Sequence, residues 1–294
     1  MSPSTLAEAA ATRAADVQHP WGRRLLRSAQ FALARLRSRD GHVEAHARPF
    51  DLTFTGPARD VITRHIYRYG VHEPQITAYL MDRVCIGPGE VALDVGANLG
   101  WYSVLLDRLS RPEARILAFE PDPHSFALLE WNLTRNAAAR VTPYNLALGE
   151  TPGMTALHRY KTSNNGRHTL LEGDTSGGTV EVAVARLESF WETHGLGERR
   201  IRLMKVDVEG FEIFVLRGAG ALLRRCDRII LEYSPTSVPI AHLSMQALPQ
   251  LLRAAGLRAH AFAPSGLEPV SFEQLASATS QIDLLLMRAD GVGP

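Results

Sequence analysis

From about residue 88 onward, short apolar runs alternate with longer stretches whose apolar positions follow the helical period. VALDV at 91–95 precedes a helical pattern near 100–109, RILAF at 115–119 precedes one at 123–135, and VTPYNLA at 141–147 follows. After residue 200 the alternation resumes with IRLMKVD at 201–207, a helix over 210–224, RIILE at 228–232, a helix over 244–255 and strands near 257–263 and 282–288. Strands of nearly continuous apolar character are buried on both faces, and this alternation predicts βαβ units around a parallel sheet. Residues 149–190 break the rhythm and are expected to be short β pieces and turns inserted between the two halves.

Upstream, residues 1–20 are rich in Ala, Ser and Thr and are expected to fray. Over 21–39, Leu25, Leu26, Ala29, Leu33 and Leu36 recur at helical spacing between arginines. That spacing predicts an amphipathic helix packed on the domain or on a second copy of the chain. Residues 50–80 suggest a strand or two and a helix leading to Met81. The expected division is an N-terminal helical extension over 1–75 and one α/β domain over 76–294.

At 294 residues, 45% hydrophobic and 21% charged, the chain has the composition of a soluble globular protein with a real core. Its net charge of +1 removes the electrostatic case for nucleic acid as a partner. Cys85 and Cys226 form no CxxC pair, which argues against a disulfide scaffold or a cysteine zinc site. No apolar run reaches membrane-spanning length, and the first residues lack a basic start followed by an apolar core. A cytoplasmic protein is the expectation.

The strand at 91–95 runs into Gly96-Ala97-Asn98-Leu99-Gly100, a tight turn that lets backbone approach a ligand. A dinucleotide fingerprint would need glycines at the first, third and sixth positions. Counting from Gly96, the third position is Asn98 and the sixth is Trp101. The Lys-Ser/Thr pair of a phosphate loop is absent as well. Glu120, at the end of the second strand, can accept hydrogen bonds from both hydroxyls of a ribose lying across the strand ends. Asp94, at the end of the first, suits a cationic ligand better than a pyrophosphate, unless it merely caps the turn. A sulfonium, an ammonium and an adenosine together describe S-adenosylmethionine.

DVGANLGWYS, AFEPDPHSFALLEWNLTRN, LALGE, LMKVDVEGFEIFVLRGA and IILEY follow one another in order between about residues 73 and 288. In these blocks and their spacing the chain resembles the FkbM-type S-adenosylmethionine-dependent methyltransferases. The resemblance implies a class I methyltransferase fold, a Rossmann-like seven-stranded, mostly parallel sheet with helices on both faces and an antiparallel last strand. It also implies methyl transfer to an oxygen, typically of a natural product or a sugar. Gly96, Ala97, Asn98 and Gly100 then correspond to the loop around the methionine part and ribose of the cofactor. Glu120 corresponds to the ribose ligand, Pro121 and Asp122 shape the adenine edge, and Asn145 either touches the adenine or ties a turn.

Methylating a hydroxyl requires alignment with the methyl donor and a way to remove a proton. Asp207 and Glu209, where the fourth strand ends before Gly210, are candidates for general base, for binding the cofactor ammonium, or with Glu232 for a hard divalent cation. The cation is the less favoured of these roles. Lys205 is expected to pair with one of these acids. His168 is the other candidate base, because 149–190 should cover the acceptor site; Arg167-His168 stands where the family has small residues. Trp101 and Tyr102 could line the pocket or belong to the core, and His72-Glu73-Pro74 could close over the cofactor. The expected activity is O-methylation of a small hydroxylated molecule. N- or carboxyl-methylation is the nearest alternative, and a cofactor-binding scaffold without turnover is the alternative of another class. The N-terminal helix is a candidate homodimer contact.

Overall fold

The computed structural model describes residues 21–38, 40–159, 168–171 and 177–288, so the expectations for residues 1–20 and 163–167 lie outside the described residues. The chain opens with α1 (Trp21–Arg37), the hairpin β1 (His42–Ala47) and β2 (Leu52–Pro57), α2 (Val61–Tyr69) and α3 (Pro74–Arg83). Then come β3 (Val91–Val95), α4 (Trp101–Arg108), β4 (Arg115–Phe119), α5 (Pro123–Arg135) and β5 (Val141–Tyr144). The insertion holds β6 (Ala147–Leu148), β7 (Gly153–His158) and β8 (Thr179–Ala185), which form a separate three-stranded sheet, and leads to α6 (Leu187–Thr193). The second half follows with β9 (Ile201–Val206), α7 (Glu212–Ala219), β10 (Arg228–Tyr233), α8 (Ala247–Ala255), β11 (Leu257–Ala263), β12 (Gly266–Val270), α9 (Phe272–Ala276) and β13 (Ile282–Arg288).

The main sheet runs β12-β11-β13-β10-β9-β3-β4-β5. β5, β4, β3, β9 and β10 are parallel neighbours, while β13 is antiparallel to both β10 and β11. Seven of these strands have the order of the class I methyltransferase sheet, with the antiparallel strand where it was expected. The eighth, β12, adds an antiparallel edge to β11. Its sequence, GLEPV, is mostly exposed and contains a proline, so it carried no apolar run to announce it. The strand order reverses between β3 and β9, and their carboxyl ends open the crevice in which such sheets bind ligands.

Two apolar layers flank the sheet. Leu93, Val95, Met204 and Leu231 pack with Leu187, Leu216 and Leu248 on one side. Ala92, Leu203 and Ile230 pack with Phe54, Leu80, Val104 and Leu129 on the other. Phe54 belongs to the hairpin, so the segment before residue 75 is neither wholly helical nor separate in its packing: it shares a core with the sheet. Asn132 fastens it, accepting Thr55 N at 2.8 Å and donating to Thr55 O at 2.9 Å and to Leu99 O at 2.8 Å. Asn136 repeats the exchange with Thr53, at 2.9 and 2.8 Å. These amides satisfy the exposed ladder of β2 as another strand would.

Helix α1 packs in an unexpected orientation. Phe31 is its buried anchor, edge-on to Tyr67 at 5.0 Å, while Leu26, Leu33 and Leu36 are exposed. The expected strand 141–147 is split between two sheets, and the expected helix 210–224 ends as α-helix at Ala219, where Gly220 takes a φ of 50°. Residues 149–190, expected as short β pieces and turns, run into α6 from Leu187, and its Leu187, Phe190 and Trp191 are buried.

Candidate active site

The glycine turn joins β3 to α4. Gly96 has a φ of 84°, and a Cβ on it would lie 1.8 Å from the carbonyl oxygen of Asp207. Only glycine lets the ends of β3 and β9 meet this closely. The Gly96 and Ala97 amides donate to Phe119 O at 2.9 and 3.0 Å, which fastens the turn to the end of β4. Gly100 answers a different constraint: a Cβ there would reach Leu129 at 2.8 Å, so it permits the approach of α5.

Glu120 follows β4 and is 6% exposed. One carboxylate oxygen accepts the Asn98 amide at 2.8 Å and the other the Asp122 amide at 2.9 Å. Burial outweighs these amides and pushes its carboxyl up to about 8. Asn145 donates to the carbonyls of Glu120 and Pro121 at 2.9 and 3.0 Å, so it ties the turn. Asp122 caps α5 by accepting His124 N and Ser125 N, and the insertion reaches it through Arg159.

At the end of β9, Lys205 is buried and its Nζ lies 2.8 Å from Asp207. Burial opposes the charge on Asp207, but Lys205 and a hydrogen bond with Glu232 hold its carboxyl below the usual range. Burial and the neighbouring Asp207 raise Glu232 far above that range, so Glu232 carries the proton between them. The Lys205 Nζ also sits 4.5 Å from the centroid of the Tyr102 ring. The chain then bends through Glu209 and Gly210, both at positive φ, and Glu209 O accepts the hydroxyl of Thr169 at 2.8 Å.

A cavity of about 270 Å³ connects these ends, near the lower limit of the roughly 300–1,000 Å³ common for small-molecule sites. It brings together Gly96, Ala97, Asn98, Glu120, Pro121, His168, Asp207 and Glu209, as the sequence suggested, and Glu232 joins them. Glu73, Asn98 and Glu209, all on its wall, have φ of 43°, 49° and 46°. Non-glycine residues rarely adopt this backbone, and such strain concentrates at functional sites.

Asp94, Gly100 and Asn145 are not on that wall. For Asp94 the reason is strand alternation: Val91, Leu93 and Val95 face one layer, which turns Asp94 toward the other. There it is buried and accepts the Ser103 hydroxyl at 2.5 Å, with its carboxyl raised by burial to about 6. It buttresses α4 under the turn, off the cavity wall. Trp101 and Tyr102 are both core and lining. His65 on α2, which the sequence did not single out, also lines the cavity, as do His72 and Glu73. A single histidine on an amphipathic helix gives no sequence signal of that position.

Asp207, Glu209 and Glu232 each offer a carboxylate oxygen within 4.8 Å of the others. Lys205, 2.8 Å from Asp207, already neutralises part of this charge. The glycine cradle at Gly96 and the acidic strand ends around it suit a cationic ligand such as S-adenosylmethionine.

The model of the methyltransferase FkbM domain matches residues 94–259. The chain belongs to the FkbM methyltransferase family. This family uses S-adenosylmethionine as its methyl donor, and the match runs from the end of β3 into β11, including both strand ends described above. Methyltransferase 1 of Beauveria bassiana is 31% identical over 147 residues, covering 43% of this chain and 57% of that protein. The 31-O-demethyl-FK506 methyltransferase FkbM of Streptomyces tacrolimicus is 30% identical over 169 residues, covering 48% and 63%. The hexuronic acid methyltransferase AglP of Haloferax volcanii is 27% identical, covering 49% and 55%. The chain thus spans little more than half the length of these curated relatives.

Proposed function

We propose that this protein is an S-adenosylmethionine-dependent O-methyltransferase acting on a hydroxyl of a small molecule, a natural product or a sugar. The observation that carries the reading is the single cavity with Glu120 at one end and the acids after β9 at the other, linked by the glycine turn. In this reading Glu120 accepts the ribose hydroxyls, Asn98 and Pro121 border the adenosine, and the acids Asp207 and Glu209 face the cationic methionine end. Bound there, S-adenosylmethionine supplies an electrophilic methyl on a sulfonium.

The relative named as a 31-O-demethyl-FK506 methyltransferase supports oxygen as the atom methylated. Hydroxyl methylation needs a proton acceptor, and the imidazoles of His65, His72 and His168 line the cavity. Burial lowers the affinity of all three for a proton, which keeps them neutral and basic in form. Asp207 is less suited to be the base, because its carboxylate is already engaged by the Lys205 ammonium at 2.8 Å. No lysine or arginine is on the wall among the described residues, while Glu73, Glu120, Asp207, Glu209 and Glu232 are. With no such cation to pair with a carboxylate acceptor, the wall favours a neutral hydroxylated one, and amine methylation is the second reading.

Calorimetry with S-adenosylhomocysteine, followed by mass spectrometry after incubation with S-adenosylmethionine and a panel of sugars, polyols and macrolactones, tests the reading. Binding followed by addition of a methyl mass to a hydroxyl is expected. Binding without product from any of them would favour a scaffold role. The free thiols Cys85 and Cys226 accord with a cytoplasmic setting, and among the described residues no helix is long and apolar enough to cross a membrane. A homodimer would use the exposed stripe Leu26, Leu33 and Leu36 on α1; sedimentation of Leu33→Glu at the same mass as the parent protein would end that reading.

A further inference from the structure

The N-terminal wall of the cavity carries a chain of polar contacts that none of these cofactor contacts uses. His65 and His72 face each other, Nδ1 to Nδ1, at 3.3 Å. His72 Nε2 lies 3.5 Å from a carboxylate oxygen of Glu73, and Glu73 also accepts the Tyr102 hydroxyl. His65, His72, Glu73 and Tyr102 all line the cavity. Two neutral imidazoles cannot meet lone pair to lone pair or proton to proton, so one Nδ1 must donate. The distance from His72 Nε2 to Glu73 is long for a hydrogen bond, yet a carboxylate favours an N–H opposite it over a lone pair. His72 is then protonated on Nε2 and accepts through Nδ1. His65 must donate from Nδ1, which leaves its Nε2 as a lone pair on the side of the ring away from His72.

We propose that His65 is the proton acceptor for the methylated hydroxyl, with His72 and Glu73 as positioning residues that fix its tautomer. This rests on the O-methyltransferase reading above. A lone pair of the acceptor oxygen forms the bond to the methyl carbon, and the electron pair of the carbon–sulfur bond leaves with sulfur. The hydroxyl proton passes to Nε2 of His65, and the O–H bonding pair stays on oxygen. The cavity's charge is conserved, because the imidazole gains the positive charge that the sulfonium loses.

The surroundings support the assignment. Burial, with His72, Arg64 and Arg68 against Glu73, holds His65 down at about 4, so the ring is neutral at pH 7, though a weaker base than a free imidazole. A continuous series of contacts runs from His65 through His72, Glu73, Tyr102 and Lys205 to Asp207, which places this wall against the acidic end of the cavity. His168 instead feels Asp122 and Arg159, next to the ribose acid Glu120.

Long-range ¹H–¹⁵N spectra of the imidazoles with S-adenosylhomocysteine bound test the tautomers directly. His65 should be protonated on Nδ1 and His72 on Nε2, and His72→Phe should release His65 from that tautomer. A His65 protonated on Nε2 in the parent protein overturns the proposal. In turnover with the panel of sugars, polyols and macrolactones, His65→Gln should lower kcat by roughly 10²–10⁴-fold while affinity for S-adenosylhomocysteine stays within about twofold. Binding of S-adenosylhomocysteine without methylation of any panel member sinks the O-methyltransferase reading and the proposal with it. A His65→Gln enzyme that keeps pace with its parent sinks the His65 assignment alone.

Discussion

Glu120 and Asp207 are both strand-end carboxylates on the wall of one cavity, yet their surroundings drive them in opposite directions. Asp207 has Lys205 at 2.8 Å and a protonated Glu232 beside it, and its charge is stabilised within the protein. Among the described residues Glu120 has two backbone amides as partners and no cation, and burial pushes its carboxyl up to about 8. The acid after β9 is therefore held by partners within the protein, whereas the acid after β4 is held by backbone amides alone among the described residues. In the proposed reading the first is a fixed electrostatic frame and the second is the contact for the ribose.

The harshest test joins the two ends. Gly96→Ala would force a Cβ onto the Asp207 carbonyl at a φ of 84°, and a loss above about 4 kcal/mol, or failure to fold, is expected in thermal melts. Next, Lys205→Met should cost about 1–3 kcal/mol in denaturant unfolding, because it leaves the half-buried Asp207 without its cation. Adding Asp207→Asn should restore part of that loss; strictly additive costs would show that the pair is not the frame described here. At the other end, Glu120→Ala should leave the fold intact but weaken S-adenosylhomocysteine by at least roughly tenfold, since hydrogen bonds to charged groups contribute about 1.5–3 kcal/mol.

The two acids should also respond oppositely to pH. Glu120 rises from 4.5 to about 8 on folding, so its contribution to stability is full below about pH 4.5 and is lost as pH climbs toward 8. Ribose hydroxyls donate best to the ionised acid, so cofactor affinity should rise over that same interval, with a proton released on binding. Asp207 is lowered from 3.8, so its contribution is present above that value and is lost as pH falls below it. Glu120→Gln should flatten the slope of stability between pH 4.5 and 8 and abolish the proton release; an unchanged slope would remove the contrast. The smallest effect is expected for Asn145→Ala, about 1 kcal/mol of stability with little change in binding, because its bonds tie the turn behind Glu120.

What the sequence determined by itself was whatever local burial period and backbone geometry control. VALDV, RILAF and the helix at 123–135 stand within the bounds their apolar patterns indicated, as do 257–263 and 282–288. The glycine turn, Glu120, Asp207 and Glu209 were legible too, because strand ends in an open α/β sheet face one crevice whatever surrounds them. Even the inward turn of Asp94 lay in the alternation of VALDV, once the faces of that strand were counted. Tertiary structure alone decided the rest. The hairpin that Asn132 and Asn136 complete, the edge strand β12 and the outward leucines of α1 depend on neighbours remote in the chain. The meeting of His65 with His72 above Glu73 depends on the fold that seats α2 against the sheet domain, and no periodicity in the sequence records a contact of that kind.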